Sequence, residues 1–369
     1  MHLTLPEGYP MNTALFLPTY PVAIGNDLAD LASLLDSYRD QQVVVLCDTN
    51  SHAFCLDIIR PALPRNFREM IFPSGEENKK LDSCAKIWEQ LLIFGVGRKD
   101  LLVNLGGGVV GDMGGFCAAT FKRGIDFIQI PTTLLSMVDA SVGGKLGIDF
   151  LDVKNAIGVF NDPKAVFVLP QFLKTLPPRQ LISGFAEMIK HALISDVTLW
   201  EAICMLNPLE TENWQAFIAD SLRVKQQIVL KDPRELGLRK ALNVGHTLGH
   251  GIEGVMLHQP DFLLHGEAIA AGILAESWLS CREGLLDTEE FQAIFRMLKI
   301  HFPLSPFRES LFDDFIRLMY NDKKNERSGI NLSLVGPIGK VNLDCCFTPA
   351  DIREALQGYN NLLRESGYN

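Results

Sequence analysis

The sequence predicts an α/β domain built on a parallel sheet, followed by a mainly α-helical domain. Three observations carry the prediction. Short, continuous apolar runs alternate with helical patterns through the first half of the chain, as strands covered on both faces of a parallel sheet require. Three of four such runs stop at Asp, Asn, Thr or Gly, residues suited to holding a ligand beyond the carboxyl ends of strands. After Pro177-Pro178 the texture changes and long helical patterns take over.

In chain order, residues 42–47 (QVVVLC) form a Val-rich strand that ends at Asp48-Thr49-Asn50. Residues 101–105 (LLVNL) run directly into Gly106-Gly107-Gly108. Residues 127–130 (FIQI) end at Pro131-Thr132-Thr133, and 165–169 (AVFVL) end at Pro170. Helical patterns cover 181–206, 212–231, 240–256, 266–283, 288–299 and 350–366. One strand pair, 330–335 with 340–343, turns around Gly336-Pro337-Ile338-Gly339. The 369 residues suffice for about two domains at roughly 150 residues each. The change of texture sets the boundary near residue 178, giving domains 1–178 and 179–369.

Hydrophobic residues at 47% and charged residues at 21% give a globular balance, which excludes a disordered chain, a coiled coil and a collagen-like fibre. Lys and Arg number 34 against 44 Asp and Glu, and the resulting charge of −10 argues against nucleic-acid or anionic-membrane binding. The first residues lack a basic start and carry Pro6, Pro10 and Pro18, so they do not read as a signal peptide. No apolar run reaches the roughly 18 residues of a membrane span. Eight cysteines are scattered without a CxxC pair, and several of them sit in apolar runs, as in VVVLCD and GGFCAATF, and read as small core residues of a protein in the reducing cytoplasm.

Three features carry chemistry. GGGVVGD, Gly106–Asp112, places glycines between a strand and a helix N-terminus, where backbone N–H groups can cradle a phosphate. The spacing is not GxGxxG, and a tight turn that binds nothing is the plain alternative. Asp48 and Asn50, at another strand end, can hold ribose hydroxyls. In LNVGHTLGHGIE, His246 and His250 share one helix face, and His265 follows at the start of another helix. Glu187, set among apolar residues in SGFAEMIKHALI, is the best candidate for a carboxylate ligand, because buried Glu is rare unless paired or metal-bound. Finally, Arg123, Lys145, Lys154, Lys190, Lys225, Arg239 and Lys323-Lys324 lie in apolar or Gly-rich segments and suggest a cationic pocket for a substrate carrying phosphate and carboxylate.

Together these motifs closely resemble the 3-dehydroquinate synthase family. The likeness runs in order through DTN (48–50), PSGEENK (73–79), GGGVVGD (106–112), FKRGIDFIQIPTTLLSMVDASVGGKLGID (121–149), KNAIGVF (154–160), GFAEMIKHALI (184–194), the segment from Lys225 to GHTLGH, HGEA (265–268) and NDKK (321–324). It implies a Rossmann-like NAD-binding N-terminal domain, a helical metal-binding C-terminal domain and an active site in the cleft between them. The NAD contacts implied are Asp48, Asn50, Glu76, Lys79, Gly107, Gly108, Val109, Asp112, Thr132, Thr133, Lys154 and Thr175. The ligands implied for one divalent ion, zinc or cobalt, are Glu187, His246 and His265. Substrate-contacting and catalytic positions fall on Arg123, Asp139, Lys145, Asn155, Lys190, Lys225, Arg239, Asn243 and His250, with one of Lys323 and Lys324. His250 is thereby an acid–base or phosphate-contacting group rather than a ligand. Ala140, Leu146 and Val244 depart from the family's frequent residues, and none removes a group that the chemistry needs.

The activity implied is the conversion of 3-deoxy-D-arabino-heptulosonate 7-phosphate to 3-dehydroquinate and phosphate, in the shikimate pathway, by a cytoplasmic homodimer. Related sugar phosphate cyclases share fold, NAD and metal but differ at the positions of Lys225, Arg239 and Asn243, which here keep the dehydroquinate synthase pattern. A metal-dependent polyol or glycerol-phosphate dehydrogenase of the same superfold is the alternative; it would release NADH, and the Lys and Arg set argues against it.

Overall fold

The computed structural model describes residues 14–151, 153–257, 259–320 and 329–367. These divide into two compact units. The first holds the chain up to Pro177 together with Glu212–Gln226; the second holds Pro178–Thr211 and the chain from Gln227 onward.

The first unit contains strands β1 (Ala14–Phe16), β2 (Pro21–Ile24), β3 (Val43–Asp48), β4 (Arg68–Phe72), β5 (Leu101–Gly106), β6 (Asp126–Pro131), β7 (Lys145–Phe150), β8 (Val153–Phe160) and β9 (Val166–Val168). Its helices are α1 (Ala29–Asp36), α2 (Thr49–Phe54), α3 (Leu56–Ile59), α4 (Leu81–Ile93) and α5 (Gly108–Thr120). Seven strands form one sheet in the order β1-β2-β9-β6-β5-β3-β4, parallel except for the β1–β2 pair. The strands expected from the sequence are β3, β5, β6 and β9, and β5 is buried along its whole length. Val44, Leu46, Leu102 and Phe127 of the sheet pack with Ile87 and Leu91 of α4 and Met113, Phe116 and Cys117 of α5. Truncating Leu91 to Ala in such a core costs about 2–5 kcal/mol, a large part of the roughly 5–15 kcal/mol that holds a domain folded.

The order reverses between β3 and β5: the chain passes from β3 outward to β4, then returns to β5 on the other side. Their carboxyl ends, at Asp48 and Gly106, therefore flank the crevice where open α/β sheets bind ligands. The antiparallel β7–β8 hairpin stands outside this sheet and packs on α5.

The second unit opens with α6 (Pro178–Ser195) and α7 (Val197–Cys204), and α8 (Trp214–Lys231) crosses the division. There follow α9 (His246–Met256), α10 (His265–Arg282), α11 (Thr288–His301), α12 (Phe312–Tyr320), the antiparallel pair β10 (Ile330–Val335) and β11 (Val341–Phe347), and α13 (Pro349–Glu365). Helix α10 is buried on almost every side, which explains why AIAAGILAES carries no polar stripe; α6, α9, α11 and α13 surround it.

Three expectations are corrected. The helix expected over 181–206 breaks at Asp196, whose side chain caps α7 by accepting from Leu199 N at 2.9 Å. That expected over 240–256 begins as a 3₁₀ turn, Leu238–Asn243, and only after Gly245 at φ +76° does α9 start. Assigning all of 179–369 to the second domain also misses Glu212–Gln226, because polar side chains of α8 reach the first unit's backbone. Gln215 donates to Ile24 O at 3.2 Å and Gln226 to Phe16 O at 2.6 Å. All eight cysteines are unpaired, and Cys47, Cys55, Cys84 and Cys117 are buried. Among the described residues no helix is long and apolar enough to cross a membrane.

Candidate active site

Three helices of the second unit bring a carboxylate and three imidazoles together. Glu187 stands mid-helix on α6 with 0% exposure, while His246 and His265 are the first residues of α9 and α10. Glu187 Oε1 lies 3.4 Å from His246 Nε2 and 3.3 Å from His265 Nε2. Each imidazole is anchored through its other nitrogen: His246 Nδ1 is 3.1 Å from Val244 O, and His265 Nδ1 is 3.2 Å from Glu253 Oε2. Metal-ligating histidines are typically tied in this way, which fixes the tautomer and aims Nε2 at the ion. The residues thus fit a divalent ion of the zinc or cobalt type. His250 lies on the same face of α9, and nitrogens of His246, His250 and His265 all lie within 4.8 Å of one another.

Electrostatics agree with such a site. Burial alone would raise the Glu187 carboxyl, but Lys190 and the two imidazoles outweigh it and hold the group well below the usual carboxylate range. Lys190, 1% exposed, forms an ion pair with Glu187 from one turn further along α6. Burial lowers His246, so its imidazole is neutral near pH 7. Burial would also lower His265, but Glu253 first and Glu187 with it push that imidazole up to about 10.

The first unit, taken by itself, holds a glycine-lined helix start. Gly106 closes β5 and Gly107 caps α5 without any side-chain hydrogen bond, so first-turn amides are left for a ligand. A Cβ at Gly106 would stand 2.2 Å from Val110 Cγ2, and one at Gly107 would stand 3.1 Å from Thr133 Cγ2. Only glycine lets strand turn into helix this tightly, and the cradle fits a dinucleotide pyrophosphate. Gly108 and Val109 are the first two residues of α5. Asp48 caps α2 through Oδ1, which accepts from Asn50 N at 2.9 Å and Ser51 N at 2.8 Å, and Oδ2 takes no part. Asn50 itself is exposed.

Lys79, buried, donates to Asp112 Oδ2 and Asn155 Oδ1, both at 2.7 Å, so the 75–79 loop, α5 and the β7–β8 hairpin meet at one ammonium. Burial works against that charge, but Asp112 and Glu76 prevail and raise Lys79 above its ordinary value. Lys154 lies 3.4 Å from Glu76 Oε1. Thr132 N donates to Gly106 O at 2.9 Å, the Thr133 hydroxyl pairs with Ser136 Oγ at 2.9 Å, and Thr175 Oγ1 donates to Phe172 O at 3.2 Å.

The expected substrate residues occur in several places. Lys225 donates to Asp139 Oδ1 at 2.6 Å. Arg123 and Lys145 are exposed. Arg239 is 2% exposed, and its Nη1 donates to Pro233 O at 2.6 Å. Asn243 donates to Glu235 Oε1 at 2.9 Å. Arg239 and Asn243 lie on one 3₁₀ turn, with about three residues per turn, and both engage the 232–237 loop. Glu235 was not legible beforehand, since a polar loop carries no periodicity to mark it. Lys323 and Lys324 lie outside the described residues.

Solved structures with this architecture define the class. The fold is that of the sugar phosphate cyclases and related dehydrogenases. A 2-epi-5-epi-valiolone synthase from Streptomyces hygroscopicus, solved with NAD+ and Zn2+ bound, superposes with a TM-score of 0.79 at 23% identity, covering 95% of this chain and 99% of that one. A 2-deoxy-scyllo-inosose synthase complexed with carbaglucose-6-phosphate, NAD+ and Co2+ gives 0.77 at 23% identity, covering 92% and 96%. Sequence narrows the class further. Residues 69–183 match the model of the 3-dehydroquinate synthase N-terminal region and residues 184–325 that of its C-terminal region. The 3-dehydroquinate synthase of Parabacteroides distasonis is 40% identical over 344 residues, 92% of this chain and 97% of its relative. The chain belongs to the 3-dehydroquinate synthase family.

Proposed function

We propose that this chain converts 3-deoxy-D-arabino-heptulosonate 7-phosphate to 3-dehydroquinate and phosphate, acting in the shikimate pathway with NAD and one divalent ion, zinc or cobalt. The observation that carries the reading is the approach of Glu187 Oε1 to His246 Nε2 at 3.4 Å and to His265 Nε2 at 3.3 Å, with both rings anchored behind. Family membership at 40% identity supports the substrate. Bound NAD would supply transient hydride acceptance at the C5 alcohol, and a bound metal would supply Lewis-acid polarisation of that oxygen.

The chain's own groups bind and orient. In this reading Glu187, His246 and His265 hold the ion, and Lys190 keeps a cation beside it for a substrate oxygen. His250 moves or holds a proton at an imidazole nitrogen, next to the leaving phosphate. Lys145 and Asn155 position that phosphate, which can itself take the proton from the neighbouring carbon. Arg239, with Lys225 and Asn243, holds the carboxylate end through a planar fork. Arg123, Asp139 and one of Lys323 and Lys324 complete the substrate set. Gly107, Gly108 and Val109 receive the pyrophosphate; Asp48, Asn50, Glu76, Lys79, Asp112, Thr132, Thr133, Lys154 and Thr175 surround the rest of NAD. The enzyme works in the cytoplasm as a homodimer in this reading.

The test is phosphate release from the heptulosonate phosphate with NAD far below substrate concentration. Full conversion that also requires added Zn2+ or Co2+ is the expected result. Phosphate release unaffected by removal of both cofactors would overturn the reading.

A further inference from the structure

We propose that α9 and α10 brace each other's metal ligand through a reciprocal pair of buried carboxylates, Glu253 and Glu276. The inference rests on the metal reading above and concerns residues outside the ligand set. Glu253 sits on α9, is 4% exposed, and its Oε2 lies 3.2 Å from Nδ1 of His265, the first residue of α10. Glu276 sits on α10, is 2% exposed, and accepts from the backbone N of Gly245 at 2.6 Å and of Leu248 at 3.2 Å. Those amides are the N-cap and the third residue of α9, whose first residue is His246. Each helix therefore fixes the histidine that begins the other.

The chemistry of the two contacts differs and explains why both are carboxylates. The N-cap of α9 is Gly245, in the left-handed region and without a side chain to accept from the orphan amides. Glu276 supplies that acceptor from the neighbouring helix, with its negative charge at the positive end of the α9 dipole. Glu253 accepts the Nδ1 proton of His265 and so aims Nε2 at Glu187, the nitrogen whose lone pair an ion would take. The helices are close enough for this because a Cβ at Gly272 of α10 would stand 2.1 Å from Gly245 O. Burying two carboxylates is costly, and apolar side chains would pack the same helices without that cost. What apolar side chains cannot do is set the orientation of two imidazoles before an ion arrives. The brace thus preorganises the ligand pair.

Metal-free full-length protein is titrated with Co2+ against a competing chelator, and the visible absorption of bound Co2+ and the melting temperature of the metal-free protein are recorded. E253Q and E276Q keep the side-chain volume and remove the charge. Each is expected to weaken Co2+ binding by about 10- to 100-fold and to shift the Co2+ bands, with metal-free E253Q melting close to wild type. Wild-type affinity and unchanged bands in both variants would overturn the brace. Lost affinity that only tracks a large fall in the metal-free melting temperature would overturn it too, as a merely structural role. Should one variant fail to fold, the titration of the other decides. A wild-type chain that takes up no Co2+ would instead bring down the metal reading itself.

Discussion

Glu187 and Lys190, one turn apart on α6, form an ion pair in which both side chains are buried, at 0% and 1% exposure. Taking two charges out of water costs several kcal/mol per ion, so the pair is poor material for mere stability. An ion held by Glu187, His246 and His265 would share the carboxylate and leave the ammonium facing substrate. Lys190→Met should then remove the main cation beside Glu187, leaving His265 as its remaining charged partner, and destabilise the metal-free protein by up to about 3–5 kcal/mol. Saturating Zn2+ should recover much of the loss. Denaturant melts with and without Zn2+ check this, and an equal loss in both states would refute it.

The proposed ligand set includes Glu187 and leaves out His250, although nitrogens of all three histidines lie within 4.8 Å. Glu187→Ala should lose metal and activity together. His250→Ala should keep its metal and lose turnover, as an acid–base or phosphate contact would. Elemental analysis of both purified variants decides; full metal in the Glu187 variant, or none in the His250 variant, would redraw the set.

Metal uptake should depend on pH in a defined direction. His265 in the metal-free fold is pushed up to about 10, above its unfolded value of about 6.5. Its protonation therefore stabilises the metal-free fold fully below about 6.5, and that contribution fades as pH rises toward 10. An ion must displace this proton, whereas His246 is lowered and gives up none above neutrality. Affinity for Zn2+ should rise roughly tenfold per unit between about pH 7 and 9. Affinity independent of pH over that range would contradict the assignment.

Under the proposed function, Arg239 distinguishes a carboxylated substrate from a plain sugar phosphate. Arg239→Lys loses the planar fork, and turnover of the heptulosonate phosphate should fall by roughly tenfold to a thousandfold, equivalent to about 1.4–4 kcal/mol of transition-state binding. Metal and NAD affinities should hardly move. Wild-type turnover would remove Arg239 from the carboxylate site.

Much of this was legible in one dimension. β3, β5, β6 and β9 are central strands, and continuous burial leaves continuous apolar runs. The edge strand β4 alternates exposed Arg68 and Glu69 with buried Met70, and the β7–β8 hairpin mixes Gly, Lys and Asp with apolar residues, so neither left such a run. The helical period of 212–231 says nothing about which unit a helix joins; that depends on where Gln215 and Gln226 find carbonyls. Glu187, His246, His250 and His265 stood out through residue type and spacing, and only the family resemblance set His250 apart from the ligands. Glu253 and Glu276 did not, because a carboxylate on a helix reads as solvated surface until a neighbouring helix covers it.

The return of hydride to the carbon that lost it separates this chemistry from that of a dehydrogenase. Substrate labelled with deuterium at C5 is turned over with catalytic NAD, and the product is examined by mass spectrometry. 3-Dehydroquinate that keeps the label, formed with one phosphate per turnover and no lasting NADH, is the expected result. Deuterated NADH accumulating in step with substrate consumed, without phosphate release, would contradict it.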